Sequence, residues 1–502
     1  MHFDRLRRFP AARIGLLTLG ALLIHGYHLG VEDGEIYIPA ARKLLHPGLY
    51  PYASQFFLSH ERLSLFAPLV AASARLTHLS LDWSAFLWYL ITIYATLAAC
   101  WLLVAACFTS QRARWCAVLV MTAVMTMPAT NTALLLVDPY ITARSFSTPL
   151  TLFALVALLR KRVWIATALI LVTASIHPQM AAYVVFLAAV MAVSDRKKKP
   201  APDRELVPVP AILLGLPLDF RLGPATQPYR EALYSRDFFF LSTWTWYHWL
   251  GMLAPLAFLW WFARGRLRGT TPAFARLSLA LIPFGIISIL AAALFSSSHQ
   301  FDMFERLQPL RSFHLITFVF ILFLAGVIGE YLAERHIWAI PALCLPLAVG
   351  MFFVQRATYP DSQHIEWPGQ KTSPNDWVNA LLWIRQNTPT NAIFAVDSRY
   401  FLVPGVDVHG FRAIAGRSAL ADYFKDGGAV SIFPALAPAW KQMTNATYGL
   451  NHFTLADFER LARQYPVDWT VIHGAAPAGM TCPYEQRGYS VCRIPPPAKP
   501  AA

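Results

Sequence analysis

Long apolar runs separated by short polar breaks fill the first 355 residues, and the pattern then changes. Runs near the roughly 20 residues that a membrane helix needs fall at 12–31, 83–108, 115–137, 146–160, 163–177, 179–194, 244–262, 275–296, 312–333 and 337–355. A weaker, proline-rich run lies at 206–218. The pattern predicts a mainly α, polytopic helical membrane bundle of about eleven spans. Between the first two runs, residues 32–82 form a long polar-to-mixed segment. Within it Leu63 to Leu79 is apolar but carries Arg75 and His78, as an interfacial helix would.

Beyond residue 355 the periodicity is that of a small folded domain. Asn375-Asp376-Trp377 opens a predicted helix through about Gln386, which Asn387-Thr388-Pro389 ends. Ala392 to Val396 and Trp469 to His473 read as strands, and Leu455 to Gln464 as a second helix. The expected organisation is a membrane domain, 1–355, and a C-terminal α/β domain, 356–502, whose Pro/Ala-rich end from Pro495 is expected to be disordered.

Charge orients this arrangement. The chain is 56% hydrophobic and 14% charged, with net charge +14 and a mean hydropathy of +0.43. The basic residues do not form one patch, which argues against a nucleic-acid partner. They sit as Arg112/Arg114, Arg160-Lys161-Arg162, Arg196-Lys197-Lys198-Lys199, Arg264/Arg266/Arg268 and Arg335 between apolar runs. That distribution follows the positive-inside rule. Arg5, Arg7, Arg8 and Arg13 then keep the N-terminus cytoplasmic, and residues 32–82 and 356–502 emerge on the far side of the membrane. The 18 residues from Ile14 to Val31 are followed by no small-residue cleavage site, so they read as a retained span. Cys100, Cys107, Cys116 and Cys344 lie in or beside apolar runs, whereas Cys482 and Cys492 lie in the polar tail, where an external location permits a disulfide. Closing so short a loop stabilises by roughly 3 kcal/mol in the chain-entropy model.

Three carboxylates stand in four residues, Glu32-Asp33-Gly34-Glu35, where the first span surfaces. Acids at a membrane boundary face water, a partner or a site. They could equally cap and solvate a helix end. The other loops on the same side hold Asp138, Tyr140 and Arg144; His177-Pro178; Arg230, Glu231, Arg236 and Asp237; and a stretch running from His299 through Arg306 to Arg311. His177-Pro178 and Asp138-Pro139 read first as turns, and Arg311 could simply snorkel to the interface. A helix bundle can gather such loops over one cavity.

Together these features resemble the GT-C superfamily of integral-membrane glycosyltransferases. The resemblance rests on the acidic motif with Tyr37 and Pro39 after it, the long first loop with its interfacial helix, the span count, the Ser175-Ile176-His177-Pro178 break and the C-terminal α/β domain. It implies transfer of a sugar from a polyprenyl-phosphate donor in the membrane lipid to a glycan, lipid or protein acceptor. A first-loop carboxylate would take the acceptor's proton, with Asp33 the first choice and Glu32 next. Arg311, with Arg306 and Arg144 behind it, would hold the lipid phosphate. His177 would bind acceptor or phosphate, and Glu35 and Tyr37 substrate. Some members of the superfamily use a divalent metal (Mg or Mn), which Asp33 and Asp138 could share. A transporter or flippase of lipid-linked sugars is the alternative, but it would place charges deep in the spans and show repeat symmetry. A non-catalytic envelope-assembly protein is the third reading.

Overall fold

A computed structural model of the chain describes residues 9–196, 220–332, 336, 338–403, 407 and 409–496. The weak run at 206–218, the basic residues Arg5, Arg7, Arg8, Lys197 to Lys199 and Arg335, and the tail beyond Pro496 lie outside the described residues. The protein is mostly helical with a small C-terminal sheet. Five helical stretches are long and apolar enough to cross a membrane: Leu81–Cys107, Pro178–Asp195, Pro272–Phe295, His299–Leu332 and Ala339–Thr358. Shorter apolar helices occupy Ala11–His25, Ala143–Leu159 and Val163–Ile176.

Two of the described apolar runs depart from expectation. The run at 12–31 is helical only as Ala11–His25, because Gly26, at φ 73°, ends the helix, so a non-helical stretch and not the helix end leads into the acidic motif. The run at 115–137 is helical only as Gln111–Ala123. Pro128 disfavours helix in the residue before it. Its polar neighbours also have other partners: Thr126 bonds the His25 ring at 2.8 Å, and Thr132 bonds the Ala129 carbonyl at 2.7 Å. The chain turns back on itself, with Pro128 bridging Leu135, and delivers Asp138 and Arg144 to the same end of the bundle as the acidic motif.

The interfacial segment forms helix Phe66–Thr77. In the C-terminal part, Asp376–Asn387 and Leu455–Gln464 are helices, the first capped by the Asn375 side chain and the second by a Thr454/Asp457 capping box. The strands are β1 (Ile393–Ala395), β2 (Ser418–Ala419), β3 (Trp469–His473), β4 (Thr481–Gln486) and β5 (Tyr489–Arg493), in the order β2-β1-β3-β5-β4. β1 pairs parallel with β2 and β3, and β5 pairs antiparallel with β3 and β4. Cys482 and Cys492 are disulfide-bonded across the β4–β5 hairpin.

The C-terminal part does not stand apart from the bundle. Phe56, Tyr229 and Phe239 share one apolar core with Trp440, Met443 and Leu450. The segment leading into the acidic motif is strapped by C-terminal backbone: Tyr27 N–H donates to the His364 carbonyl at 3.1 Å, Glu366 N–H to the Tyr27 carbonyl at 2.8 Å, and Gly410 N–H to the Gly30 carbonyl at 2.9 Å. Gly410 has to be glycine, because a Cβ there would run into the Glu35 carboxylate.

Candidate functional site

The acidic motif does not form one continuous helical face. Glu32 has a positive φ of 51°, Asp33 is the N-cap residue, and the helix itself runs Gly34–Leu45. The Asp33 side chain makes no capping bond. It points instead into a cavity of about 130 Å³, which Tyr37, His60, Arg144, His177, Arg236, Arg311 and Lys425 also line. The 37% of its surface that stays accessible therefore faces this cavity.

Cations dominate the surroundings. Lys425 Nζ lies 3.0 Å from Asp33 Oδ1 and also pairs with Glu32. Arg144 Nη2 is 3.6 Å from Asp33 Oδ2 and 2.7 Å from Asp138 Oδ2. Arg236 lies over the Phe424 ring and Arg311 over the Phe238 ring. Among the described residues, Arg236 Nε and Nη2 and Arg311 Nε find no hydrogen-bond acceptor. Four cations thus meet three carboxylates (Glu32, Asp33 and Asp138), and three of the four keep donors free for an anion, since Arg144 Nε also lacks an acceptor among the described residues. Burial alone would raise the Asp33 carboxyl, but Lys425 and Arg144 outweigh it and hold it well below the usual carboxylate range. The same pairing raises the Lys425 ammonium against the effect of burial. Burial pushes the His60 imidazole down to about 4, so it is neutral at physiological pH.

Glu35 goes elsewhere. Its carboxylate accepts from Arg412 Nε at 2.6 Å and from the backbone N–H groups of Arg412 and Ala413. Arg412 also bonds Asp426 at 2.7 Å and Asp422 at 3.2 Å. Glu35 is therefore a structural anchor and not a substrate contact of this cavity. The anchor sets the site's geometry, since Asp426 adjoins Lys425 and Glu35 lies two residues from Asp33. Arg412 ties the two segments in the register that brings ammonium and carboxylate together.

Beside the polar cavity lies an apolar groove of about 370 Å³, sharing Tyr37, His60, His177 and Gln179 with it. Its walls come from helices Pro178–Arg196 and Pro272–Phe295, through Ala182, Tyr183 and Phe186 on one and Ile287, Ala291 and Phe295 on the other. Arg306 lines this groove, with Nε donating to the Met303 carbonyl at 3.0 Å. Gln308, at φ 49°, turns the chain between Arg306 and Arg311, so one faces the groove and the other the cavity.

Asp33, Tyr37, Arg144, His177 and Arg311 are thus brought together, Glu32 borders them through Lys425, and Arg306 lies alongside. Lys425 joins them from the C-terminal part. It stands 392 residues from Asp33, and no local spacing signals it. A divalent ion does not fit these residues. Asp138 is bonded to Arg144 and Thr142, both Asp33 oxygens face side-chain cations, and among the described residues no group of three His, Cys, Asp or Glu is arranged to hold a metal.

No family model matches this chain, and no curated protein matches it.

Proposed function

We propose that the protein is an integral-membrane glycosyltransferase of the GT-C kind. It moves a sugar from a polyprenyl-phosphate donor to an envelope glycan, lipid or protein acceptor on the outer side of the bacterial inner membrane. On this reading about eleven helices span the bilayer, the basic clusters stay inside, and the acidic motif and C-terminal part lie outside. The observation that carries the reading is the union of two unlike spaces. A cavity with surplus, unpaired guanidinium donors opens beside an apolar groove between two membrane-type helices. A ligand with an anionic head and a hydrocarbon tail satisfies both.

The chemistry follows from the residues. The acceptor hydroxyl gives its proton to Asp33 as its oxygen bonds the anomeric carbon. The bond from that carbon to the phosphate oxygen breaks, and the phosphate leaves with the electron pair. Arg236 and Arg311 stabilise the charge on the departing phosphate. An Asp33 held by two cations is a weak base. A phosphate that draws Arg144 towards itself raises Asp33's basicity when the donor is in place. The test is Asp33→Asn: transfer falls by roughly 10²–10⁴-fold with unchanged expression, and lipid-linked sugars accumulate in the mass spectra of the mutant strain. Full transfer by the variant removes Asp33 from the reaction. Movement of the lipid-linked sugar across sealed vesicles without a new glycosidic bond would replace the reading with transport.

A further inference from the structure

The family resemblance allows a divalent cation beside the first-loop acids, yet an ammonium from the C-terminal part lies against two of them. We propose that Lys425 stands where a bridging divalent ion would sit between Glu32 and Asp33, so that the site is metal-independent and its bridging charge is supplied by the C-terminal part. The proposal rests on the glycosyl-transfer reading for its meaning, but its test does not require transfer to be seen.

Three observations carry it. First, a single ammonium contacts a carboxylate oxygen from each of two acids, Glu32 Oε2 and Asp33 Oδ1, which is the bridging role a metal plays between two acidic ligands. Second, the ammonium is held in place. The Lys425 side chain is only 9% exposed, and Phe424 lies 4.8 Å from Nζ. The neighbouring Asp426 is gripped by Arg412, and the Lys425 backbone N–H donates to Asp422 at 2.5 Å. Third, the remaining Asp33 oxygen faces Arg144, so a doubly charged ion approaching these acids meets three guanidinium groups and the ammonium. It would have to expel Lys425 from a buried position to gain two ligands.

Lys425 is a positioning residue in this scheme. It fixes Glu32 and Asp33 relative to the cavity and leaves bond-making to Asp33. The experiment is a Mn²⁺ titration of the purified full chain in detergent, followed by the electron paramagnetic resonance signal of free Mn²⁺. Wild type, Asp33→Asn, Lys425→Gln, Lys425→Arg and the double variant Lys425→Gln/Glu32→Gln are compared, each with its melting curve. The wild type is expected to take up no Mn²⁺ that Asp33→Asn abolishes. Lys425→Gln is expected to gain one Mn²⁺ per chain with at least tenfold tighter binding, and both Lys425→Arg and the double variant to lose that gain. Stoichiometric Mn²⁺ in the wild type that disappears in Asp33→Asn overturns the proposal. A folded Lys425→Gln protein that still takes none also overturns it, because the ammonium would then not be what excludes the ion. Where sugar transfer is measurable, a chelator lowers the wild-type rate less than twofold. Absence of any transfer counts against the glycosyltransferase reading and leaves the Mn²⁺ result to decide this one.

Discussion

Asp33 and Glu35 are two residues apart and belong to opposite kinds of charge cluster. Around Asp33 cations outnumber carboxylates, guanidinium donors lack partners, and the carboxylate looks into a cavity. Around Arg412 three carboxylates, Glu35, Asp422 and Asp426, share one guanidinium in a buried network. In the second cluster every carboxylate oxygen has a donor within the protein and Arg412 Nη1 alone lacks a partner, whereas the first leaves donors on three guanidinium groups unmet. A buried network whose carboxylates are all met by the protein's own donors fixes a fold, whereas one that leaves several cationic donors unmet around a cavity is prepared for an anion that arrives later. One short motif therefore serves both ends, and its two acids should fail differently when changed.

The sharpest separation comes from Arg412→Met. Removing the shared guanidinium leaves three buried acids without a counter-ion and should cost about 3–5 kcal/mol, seen as a large fall in melting temperature or loss of folded protein from the membrane. If Arg412→Met keeps its melting temperature, the network is not the anchor argued for here. Smaller and of opposite character is the effect expected at the cavity. Arg236→Ala or Arg311→Ala should weaken binding of a polyprenyl monophosphate by roughly 1.5–3 kcal/mol, about 10- to 150-fold, without lowering the melting temperature, because each removes a charge the protein leaves partly unpaired. Equal affinity in the variants, measured by tryptophan fluorescence, would erase the contrast between the two clusters.

The smallest effect concerns the strap beside the motif, where Glu366 accepts from the Leu29 N–H at 3.0 Å and pairs with His409 at 2.7 Å. Burial opposes the Glu366 charge, but His409 and His28 together outweigh it and bring the carboxyl down to about 2 from 4.5. Burial likewise opposes the His409 charge, and Glu366 outweighs it, raising the imidazole above 6.5. A lowered carboxyl stabilises above its unfolded value, and that stability is lost as pH falls towards 2. A raised imidazole stabilises fully below 6.5 and loses its contribution as pH rises through its raised value. The pair should stabilise most between about pH 4.5 and 6.5. Melting temperature should then drop by roughly 1–2 °C above that window, a drop that His409→Asn removes.

Much of the architecture was legible because its signals are local. Most described apolar runs carry helices, and the helices at Asn375 and Leu455 and the strand at Trp469 are read within a few residues of themselves. The gathering of Arg144, His177 and Arg311 near the acids followed from charge placement alone. What escaped was decided over distance. The helical run ending early at Ala123 depends on Pro128 and on Thr126 finding His25 across the bundle. Glu35 looked like a site acid because nothing near it reveals Arg412, 377 residues on. Lys425 opens a short helix, Lys425–Ile432, whose sequence resembles an ordinary loop-to-helix joint. Its role exists only after the two ends of the chain have docked.

That separation also acts as a clock. Asp33 is made early and its ammonium partner 392 residues later, an interval of roughly 20–80 s at about 5–20 residues per second. Throughout that interval the motif's acids lack Lys425, for nearly all of it they also lack Arg412, and the cavity has no wall from the Lys425–Ile432 helix. A chain cut short before this helix would carry every apolar helix of the bundle and still lack the site. The C-terminal part thus closes a cavity that the N-terminal part only begins.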